Sequence, residues 1–412
     1  MGSLSVFTAS AQFPSDEINL SEARVLPYTL PDPLVMKNGD TVSNAREWQK
    51  IQRPYIYHLF EENVYGLYPR SIPVHYRVRE VDHHALSGRA TRKQVRLFLK
   101  PGDTTVFIDV LLYLPNGHKG PSPVFVGLNF NGNATVINDP AVFLSNRLVS
   151  HDYKIRNTDS ARGTKASRWP IEMIIANGIG VVTACYSDLE EDRPGGWKTG
   201  IRTTLEDVLQ ERPDQWSAIG AWAWGLSRMM DYLEQDRGVN QHEVAVVGLS
   251  RLGKTALWAG ASDQRFSIVI SNESGEGGAA LARRWFGETV KKINTSFPYW
   301  FVGQYKKYND AVNSLPVDQH ELLALIAPRP LYVASASGDQ WSDPKGEFLS
   351  AVYAAPVYAL FGKRGLGTRV MPAVCHPIGN TIAYHIRTGT HDIVLYDWKQ
   401  YVSFVKRQWN IY

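Results

Sequence analysis

Residues 243–260 read Glu-Val-Ala-Val-Val-Gly-Leu-Ser-Arg-Leu-Gly-Lys-Thr-Ala-Leu-Trp-Ala-Gly. The segment opens with a short, apolar, β-branched run, Val244 to Val247, that shows no helical period. Such a run is typical of a strand that is covered on both faces of a parallel sheet. No proline or turn dipeptide separates Gly248 from Gly253, so the chain must pass from strand to helix within a few residues. The segment therefore predicts a strand, a sharp bend at Ser250 and a helix.

Ser250 occupies the position of the serine in a nucleophile elbow, in which a strained turn holds the hydroxyl above the carboxyl edge of the sheet. The elbow pattern has glycine two residues after the serine, but this chain has Leu252 there and glycine at Gly253. A phosphate-binding or merely tight turn has a similar sequence. Two neighbouring cations favour catalysis: Arg251 can face a developing oxyanion, and Lys254 can reach a polar or anionic substrate. Positive charge is disfavoured at a helix start, so its presence here indicates a ligand.

The run Gly-Leu-Ser-Arg-Leu-Gly-Lys at 248–254 resembles the serine motif of the glucuronoyl esterases, carbohydrate esterase family 15. The family pattern is Gly-x-Ser-Arg-x-Gly-Lys, which includes the displaced glycine. The resemblance extends from about Gln94 to the C-terminus and leaves out the N-terminal arm. It implies a serine esterase of the α/β-hydrolase fold, with a doubly wound, mostly parallel sheet in a three-layer αβα sandwich and a single domain with insertions. It implies no metal ion and no organic cofactor.

The composition is that of a globular chain: of 412 residues, 44% are hydrophobic and 20% charged, and the net charge is +4. The positive charges form no run, so nucleic acid is not expected as a partner, whereas an acidic polymer is compatible with the charge. No apolar run approaches the ~20 residues that a membrane span requires. Cys185 and Cys375 are too few for a disulfide framework and wrongly spaced for a metal site.

The chain is predicted to consist of an extended arm, residues 1–40, and a catalytic domain, residues 41–412. The arm is rich in proline and shows little periodicity. Ala9-Ser10-Ala11 is similar to the end of a secretory signal, so residues 1–12 are interpreted as the remnant of an export sequence or as a tag. We therefore expect a secreted protein, extracellular or periplasmic, and we expect a monomer.

Alternating strand and helix patterns without a repeat or a linker predict one doubly wound sheet. The strand patterns lie at 94–99, 104–114, 123–130, 178–184, 244–247, 266–270 and 330–335, and the helix patterns at 45–65, 219–233 and from about 392. The loop at 129–133 is either a source of an oxyanion-hole donor or an ordinary connection. Residues 136–168 are expected to form an insertion near the site, and the acidic loop at 186–192 is expected to be solvated.

A serine nucleophile needs a histidine base and an orienting carboxylate, and in hydrolases the carboxylate precedes the histidine along the chain. His376, His385 and His391 lie late enough to serve. His391 lies on a glycine-bearing loop directly before the terminal helix, where the base of this fold belongs, and the resemblance selects it as well. His385 has apolar neighbours on both sides and is interpreted as a structural histidine.

Two carboxylates are candidates for the acid, and both are predicted to follow strands. Asp339 holds the position that is usual in hydrolases, whereas Glu273 follows the preceding strand. The resemblance ranks Glu273 first and implies that some bacterial members of the family carry both. Because two anions on one imidazolium repel each other, we expect one to orient His391 and the other to tune it. Either residue also fits a carboxylate that merely caps the next helix.

The resemblance also assigns a sugar site. Lys254 and Glu288 would hydrogen-bond hydroxyls of a glucuronic acid ring, and Trp341 would close the wall beside it. Residues 299–301, Tyr-Trp-Phe, either face a lignin-like alcohol or form a buried apolar patch.

The function that the resemblance implies is hydrolysis of the ester between a 4-O-methyl-glucuronic acid branch of glucuronoxylan and an alcohol of lignin. An acetyl xylan esterase, or another carbohydrate esterase with the same machinery, remains as an alternative. A carbohydrate-binding protein without activity is disfavoured because no member of the Ser-His-acid set is missing. A serine peptidase is disfavoured because no second domain is evident to gate the site.

Overall fold

The computed structural model describes residues 18–117, 119–145 and 158–411, so the interpretation of residues 1–12 lies outside the described residues. The described chain is built on one ten-stranded sheet. Its strands are β1 His75–Ala85, β2 Ala90–Lys100, β3 Asp103–Pro115, β4 Ser122–Asn129, β5 Gly180–Cys185, β6 Val239–Leu249, β7 Ile268–Asn272, β8 Leu331–Ala336, β9 Ile378–Gly379 and β10 Ile382–Arg387. From edge to edge they lie in the order β1-β2-β3-β5-β4-β6-β7-β8-β10-β9.

The middle of the sheet is parallel and its margins are antiparallel. All neighbouring pairs from β5 through β4, β6, β7 and β8 to β10 are parallel. The pairs β1–β2, β2–β3, β3–β5 and β9–β10 are antiparallel. The strands β4, β5, β7, β8 and β10 are buried along their whole length, as is typical of parallel strands that are covered on both faces. The prediction of a mostly parallel, doubly wound sheet is confirmed.

Helices cover both faces of this sheet. They are α1 Ala45–Glu47, α2 Arg53–Phe60, α3 Ile171–Ala176, α4 Ile201–Thr204, α5 Glu206–Leu209, α6 Ala218–Leu233, α7 Arg251–Ser262, α8 Val290–Ser296, α9 Gln319–Ala324, α10 Pro344–Ala359 and α11 Leu395–Trp409. One core contains Met229 of α6 and Trp258 of α7, and a second core contains Ile174 of α3 and Trp398 of α11. The arrangement is the predicted three-layer sandwich.

The helix predicted over 45–65 is continuous but not uniform, because π-helical turns at Trp48–Gln52 and Glu61–Tyr65 flank α2. The amphipathic pattern at 219–233 is α6, in which Trp222 and Met229 are fully buried. Among the described helices, none combines the length and the apolar character needed to cross a bilayer.

The sequence patterns did not predict β1 and β10, and they placed the start of the last helix too early. β1 is an edge strand whose side chains are mostly exposed, so it lacks an apolar pattern. β10 is fully buried but contains His385, which has the predicted structural role: its Nδ1 contacts the Tyr332 hydroxyl (2.9 Å) and its Nε2 contacts Asp397 (2.8 Å). Residues 388–394 are a loop rather than the first turn of α11.

The parallel strands bring the candidate residues to one edge of the sheet. Ser250 follows β6, Glu273 follows β7, Asp339 follows β8 by a short turn, and His391 follows β10. Because parallel strands end at the same edge, four segments that are distant in sequence meet there. This edge is where open α/β sheets bind their ligands.

Candidate active site

Ser250 lies between β6 and α7 in a backbone conformation that non-glycine residues rarely adopt, with φ 60° and ψ −128°. Its main-chain N–H donates to the Asn272 carbonyl of the neighbouring strand (2.9 Å). Such strained residues persist where the surrounding structure holds them and are frequent at functional sites. The predicted sharp bend is confirmed, and its geometry is that of a nucleophile elbow.

The position of the second glycine follows from how tightly the elbow is folded. A Cβ atom on Gly248 would overlap the Leu252 carbonyl group, so this position accepts no side chain. A Cβ on Gly253 would lie 3.0 Å from the Ser274 side chain and 3.1 Å from the Gly248 carbonyl oxygen. In this turn the backbone of residue 253, and not that of residue 252, packs closely against neighbouring atoms, which explains why the second glycine is at position 253.

A cavity of about 300 Å³ opens at the elbow and brings together Ser250, Arg251 and His391. The rest of its lining comes from the loop after β4, the predicted insertion, the start of the acidic loop and the end of β6, namely Phe130, Asn131, Lys165, Arg168, Tyr186 and Leu249. The structure thus brings the predicted insertion to the site, as expected, and it places the loop after β4 there as well. Residues 146–157 of the insertion lie outside the described residues.

Two carboxylates contact the same ring nitrogen of His391. Its Nδ1 lies 2.6 Å from Asp339 Oδ2 and 3.3 Å from Glu273 Oε2. Two acceptors at Nδ1 require the proton there, which leaves Nε2 as the atom that is free to act as a base toward the cavity. Both predicted carboxylates are therefore present, but the geometry reverses their order, because Asp339 makes the shorter bond.

Glu273 is drawn away from the imidazole by other partners. Its Oε1 accepts a hydrogen bond from the buried Arg387 guanidinium (2.6 Å), and its Oε2 accepts one from the main-chain N–H of Asp392 (3.1 Å). Arg387 also donates to the carbonyls of Thr390 (3.0 Å) and Asp392 (2.5 Å). Glu273 and Arg387 thus fix the loop that carries the histidine. Sequence reasoning missed Arg387, because a charged residue inside a strand gives no signal for this role.

The two carboxylates differ in their protonation. Burial raises the pKa of Glu273 to about 7, despite hydrogen bonding to His391 and the charge of Arg387. Burial acts in the same direction on Asp339, but hydrogen bonds from His391 and Ser342 outweigh it and hold the pKa of Asp339 below its usual value. Burial alone would lower the pKa of His391, whereas the two carboxylates raise it to about 9. Asp339 is thus the anion that balances the imidazolium at neutral pH.

Arg251 is held over the site by the buried carboxylate of Asp192, with which it forms an ion pair. Asp192 also accepts hydrogen bonds from Tyr186 (2.9 Å), Tyr299 (2.9 Å) and the Trp300 indole (2.6 Å). The expectation that the acidic loop at 186–192 is solvated is therefore wrong for Asp192, which is 1% exposed. Three of its four donors, Arg251, Tyr299 and Trp300, come from distant segments, so no local pattern could reveal its burial.

The aromatic residues 299–301 lie behind Arg251 and do not form an open surface. The Arg251 guanidinium lies 4.6 Å from the centre of the Trp300 ring, and Trp300 and Phe301 are buried. Of the two predicted alternatives, the cluster is therefore the buried apolar patch, and it also supports the Arg251 cation. Among the described residues, Arg251 Nε is buried and has no hydrogen-bond partner, which is unusual for a charged donor.

Lys254, Glu288 and Trp341 form a group beside the elbow. Lys254 is buried; its ammonium donates to the Ser274 carbonyl and lies 3.9 Å from Glu288 Oε2. Burial lowers the pKa of Lys254 and raises the pKa of Glu288, and their mutual attraction opposes both shifts. Glu288 donates its main-chain N–H to the Trp341 carbonyl (2.9 Å), and Trp341 is 36% exposed. A polar pair beside a partly exposed indole is suited to bind a sugar ring.

Glu273, Asp339 and His391 also have the composition of a metal site, since their donor atoms lie within 4.8 Å of one another. The Arg387 guanidinium, however, is 2.6 Å from Glu273 and already neutralises one carboxylate. A divalent cation at this point would meet a fixed positive charge. The arrangement therefore favours a histidine with its acids over a metal centre.

Comparison with known proteins extends the likeness over almost the whole chain. A family model described as glucuronyl esterase, fungi, matches residues 171–362. Carbohydrate esterase MZ0003, from an unknown prokaryotic organism, is 44% identical over 393 residues, which cover 94% of this chain and 91% of that protein.

Solved structures agree with these sequence matches. A glucuronoyl esterase from Solibacter usitatus is 50% identical, with a TM-score of 0.90 over 94% of this chain and 100% of that chain. A promiscuous CE15 esterase from a marine bacterial metagenome is 42% identical, with a TM-score of 0.88 over 95% of this chain and 99% of that chain. With a Ser-His-acid arrangement at the carboxyl edge of its sheet, this chain is a carboxylic ester hydrolase and belongs to carbohydrate esterase family 15, the glucuronoyl esterases.

Proposed function

We propose that this glucuronoyl esterase is secreted, acts as a monomer and cleaves the ester between a 4-O-methyl-glucuronic acid branch of glucuronoxylan and an alcohol of lignin. The observation that carries the chemistry is the meeting of Ser250, Arg251 and His391 in one cavity. The names of the relatives support the glucuronoyl part of the substrate. Secretion is supported by the substrate itself, because a cell-wall polymer must be cleaved outside the cell.

The reaction follows from the donors and acceptors at the elbow. Nε2 of His391 takes the proton of the Ser250 hydroxyl as Oγ attacks the uronoyl carbonyl carbon. The Arg251 guanidinium, which lines the same cavity as Ser250, stabilises the oxyanion of the tetrahedral intermediate together with main-chain N–H groups of the elbow. The ester C–O bond then breaks, and His391 returns the proton to the departing alcohol. Water, deprotonated by His391, then attacks the acyl carbon. The bond to Ser250 Oγ breaks, His391 returns the proton to Oγ, and the acid product ionises to a free carboxylate.

The charges of the site match the changes in the substrate. The ester is neutral, whereas the intermediate and the product carboxylate are anionic, and three cations surround the cavity: Lys165, Arg168 and Arg251. Arg168 is paired with Asp392 (2.6 Å), and Arg251 with Asp192. Both are thus held in place before charge develops, so their stabilisation requires little reorganisation.

The sugar ring is assigned to the wall beside the elbow. Lys254 provides a cationic donor and Glu288 an acceptor, so together they can bind adjacent ring hydroxyls. Trp341 offers an apolar face for the ring or its 4-O-methyl group. These three residues would fix the orientation of the carbonyl toward Ser250, which is the purpose of a binding site that is separate from the reacting atoms.

The experiment compares the methyl and benzyl esters of 4-O-methyl-glucuronic acid with an acetylated xylo-oligosaccharide. We expect kcat/KM to be at least about a hundredfold higher for the glucuronate esters. Ser250→Ala should lower kcat by roughly 10³-fold or more while the protein unfolds at an unchanged temperature. Faster cleavage of the acetyl ester would instead identify a carbohydrate esterase with another substrate. Undiminished hydrolysis by Ser250→Ala would remove the assigned nucleophile.

A further inference from the structure

The N-terminal arm contacts the loop that carries Glu288. Asn19 is 5% exposed, and its carbonyl accepts a hydrogen bond from the main-chain N–H of Gly287 (2.8 Å). The next residue, Glu288, donates its own N–H to the Trp341 carbonyl (2.9 Å). A short series of main-chain contacts therefore connects the arm to the wall that the proposed function assigns to the sugar.

Gly287 makes this connection stiff. It has φ +65°, and a Cβ at this position would lie 2.7 Å from the Gln340 carbonyl oxygen and still closer to that of Trp341. The two loops are thus packed backbone against backbone. A shift of residue 287 cannot be absorbed by side-chain rotation and must move the main chain at Trp341.

A charged contact reinforces the same junction. Glu22 accepts hydrogen bonds from the Arg284 guanidinium (2.5 Å) and from the Lys345 ammonium (2.6 Å). Arg284 is buried and also donates to Asp343 Oδ2 (2.8 Å), and Asp343 in turn caps α10 through the N–H of Gly346 (2.9 Å). Glu22 therefore joins the segment before Glu288 to the segment after Trp341.

The arm is anchored further along its length. The buried His320 donates from Nε2 to the Pro31 carbonyl (2.9 Å). The arm thus accepts from the buried ring of His320 and from the buried guanidinium of Arg284, which Asp343 also contacts. An arm that only covered the surface would not need an ion pair with a buried arginine.

We propose that residues 19–31 act as a strap that positions the sugar-binding wall, with Glu22 as a positioning residue. The strap holds the main chain at 287–288 and at 341–345, so that the Glu288 carboxylate and the Trp341 indole are set for the ring before substrate arrives. This inference rests on the proposed function, because the wall must bind the sugar for its position to matter. It assigns a positioning role to a segment in which the sequence motifs indicated no function.

The test uses Glu22→Gln, which keeps the size of the side chain and removes its charge. With the methyl ester of 4-O-methyl-glucuronic acid, KM should rise by about threefold to tenfold while kcat stays within about twofold. Hydrolysis of 4-nitrophenyl acetate, which has no sugar for the wall to bind, should be unchanged. Asp40→Asn, which alters an exposed acid in the same arm whose carboxylate accepts a hydrogen bond from Asn38, is the matched control and should behave as wild type.

Deletion of residues 1–24 provides a second variant and should raise KM at least as much as Glu22→Gln. An unchanged KM in both variants would overturn the inference. So would an equal loss of activity on the glucuronate ester and on 4-nitrophenyl acetate, because that result indicates general destabilisation and not misplacement of the wall. If the wild-type protein did not cleave the glucuronate ester at all, the proposed function would fail first, and the inference with it.

Discussion

At the scale of single residues, the two carboxylates on His391 should differ in importance. Asp339 is nearer to Nδ1 and has the lower pKa, whereas Glu273 is shared with Arg387 and the histidine loop. We expect Asp339→Asn to lower kcat by roughly 10³-fold, because the imidazolium loses its balancing anion. Glu273→Gln should lower kcat by only about tenfold, because Asp339 remains. Equal losses of kcat, or a larger loss in Glu273→Gln, would restore the order that the sequence resemblance implied.

The ranking of these carboxylates shows where sequence reasoning ends. The motif around Ser250 and the loop position of His391 identified both residues, because each depends on local chain geometry. Which carboxylate pairs with His391 depends on Arg387 of β10. Its guanidinium binds Glu273, which follows β7, and leaves Asp339 as the closer partner of the imidazole. Such a competition is a property of the three-dimensional arrangement, and no spacing along the chain encodes it.

The pH dependence of the reaction should report the charge around His391. The neutral imidazole is the base, and the two carboxylates raise the pKa of His391 to about 9 in the free enzyme. We therefore expect kcat/KM for a glucuronate ester to rise with pH and to level off above about pH 9. Glu273→Gln removes one of the groups that raise this pKa, so the midpoint should move to lower pH. Profiles measured from pH 6 to 10 test this, and an unmoved midpoint would contradict the assigned coupling.

At the scale of elements, the β6–α7 elbow depends on the absence of a side chain at Gly248. We expect Gly248→Ala to force Leu252 and the start of α7 away from β6, which should destabilise the protein by about 1–3 kcal/mol and displace the Ser250 hydroxyl. Thermal unfolding and kcat are the measurements, and both should fall. Gly303→Ala is the control, because its Cβ would meet no atom within 4 Å. A variant at position 248 with wild-type kcat would show that the elbow has more freedom than its geometry indicates.

Most of the elements were predictable because their apolar patterns are complete. The runs that became β4, β5 and β8 are buried throughout, and α6 presents a regular apolar face. β10 was missed because His385 and Arg387 interrupt its pattern, although both are buried by hydrogen bonds and ion pairs inside the fold. β1 was missed for the opposite reason, since an edge strand with exposed side chains has no apolar signal.

At the scale of the whole molecule, the interior contains several acids whose protonation is set by burial. Burial raises the pKa of Glu276, Glu321 and Glu347 to about 8. Glu347 accepts from Ser335 (2.6 Å) and from the main-chain N–H of Gly275 (3.0 Å), so it links the sheet to the turn that follows Glu273. A change in its charge is therefore transmitted to the active-site edge.

These carboxyls should make the folded protein less stable as the solution becomes alkaline. Their pKa values are higher in the folded than in the unfolded chain, so the stability they confer is fully present below about pH 4.5. It is lost progressively as pH rises to about 8, at no more than about 1.4 kcal/mol per pH unit for each group. His391, whose folded pKa is also raised, acts in the same direction up to about pH 9. Unfolding temperatures should consequently fall by several degrees between pH 5 and pH 8.

Glutamine substitution separates this effect from others that depend on pH. Glu276 accepts a hydrogen bond from the Tyr305 hydroxyl (2.6 Å), and a glutamine carbonyl can do the same without a proton to lose. Glu276→Gln should therefore reduce the fall in unfolding temperature between pH 5 and pH 8, whereas Glu206→Gln, at an exposed position, should leave it unchanged. If the unfolding temperature of the wild-type protein were constant or rose over this range, the buried carboxyls would have to be ionised at neutral pH, and the electrostatic description of the interior would need to be reversed.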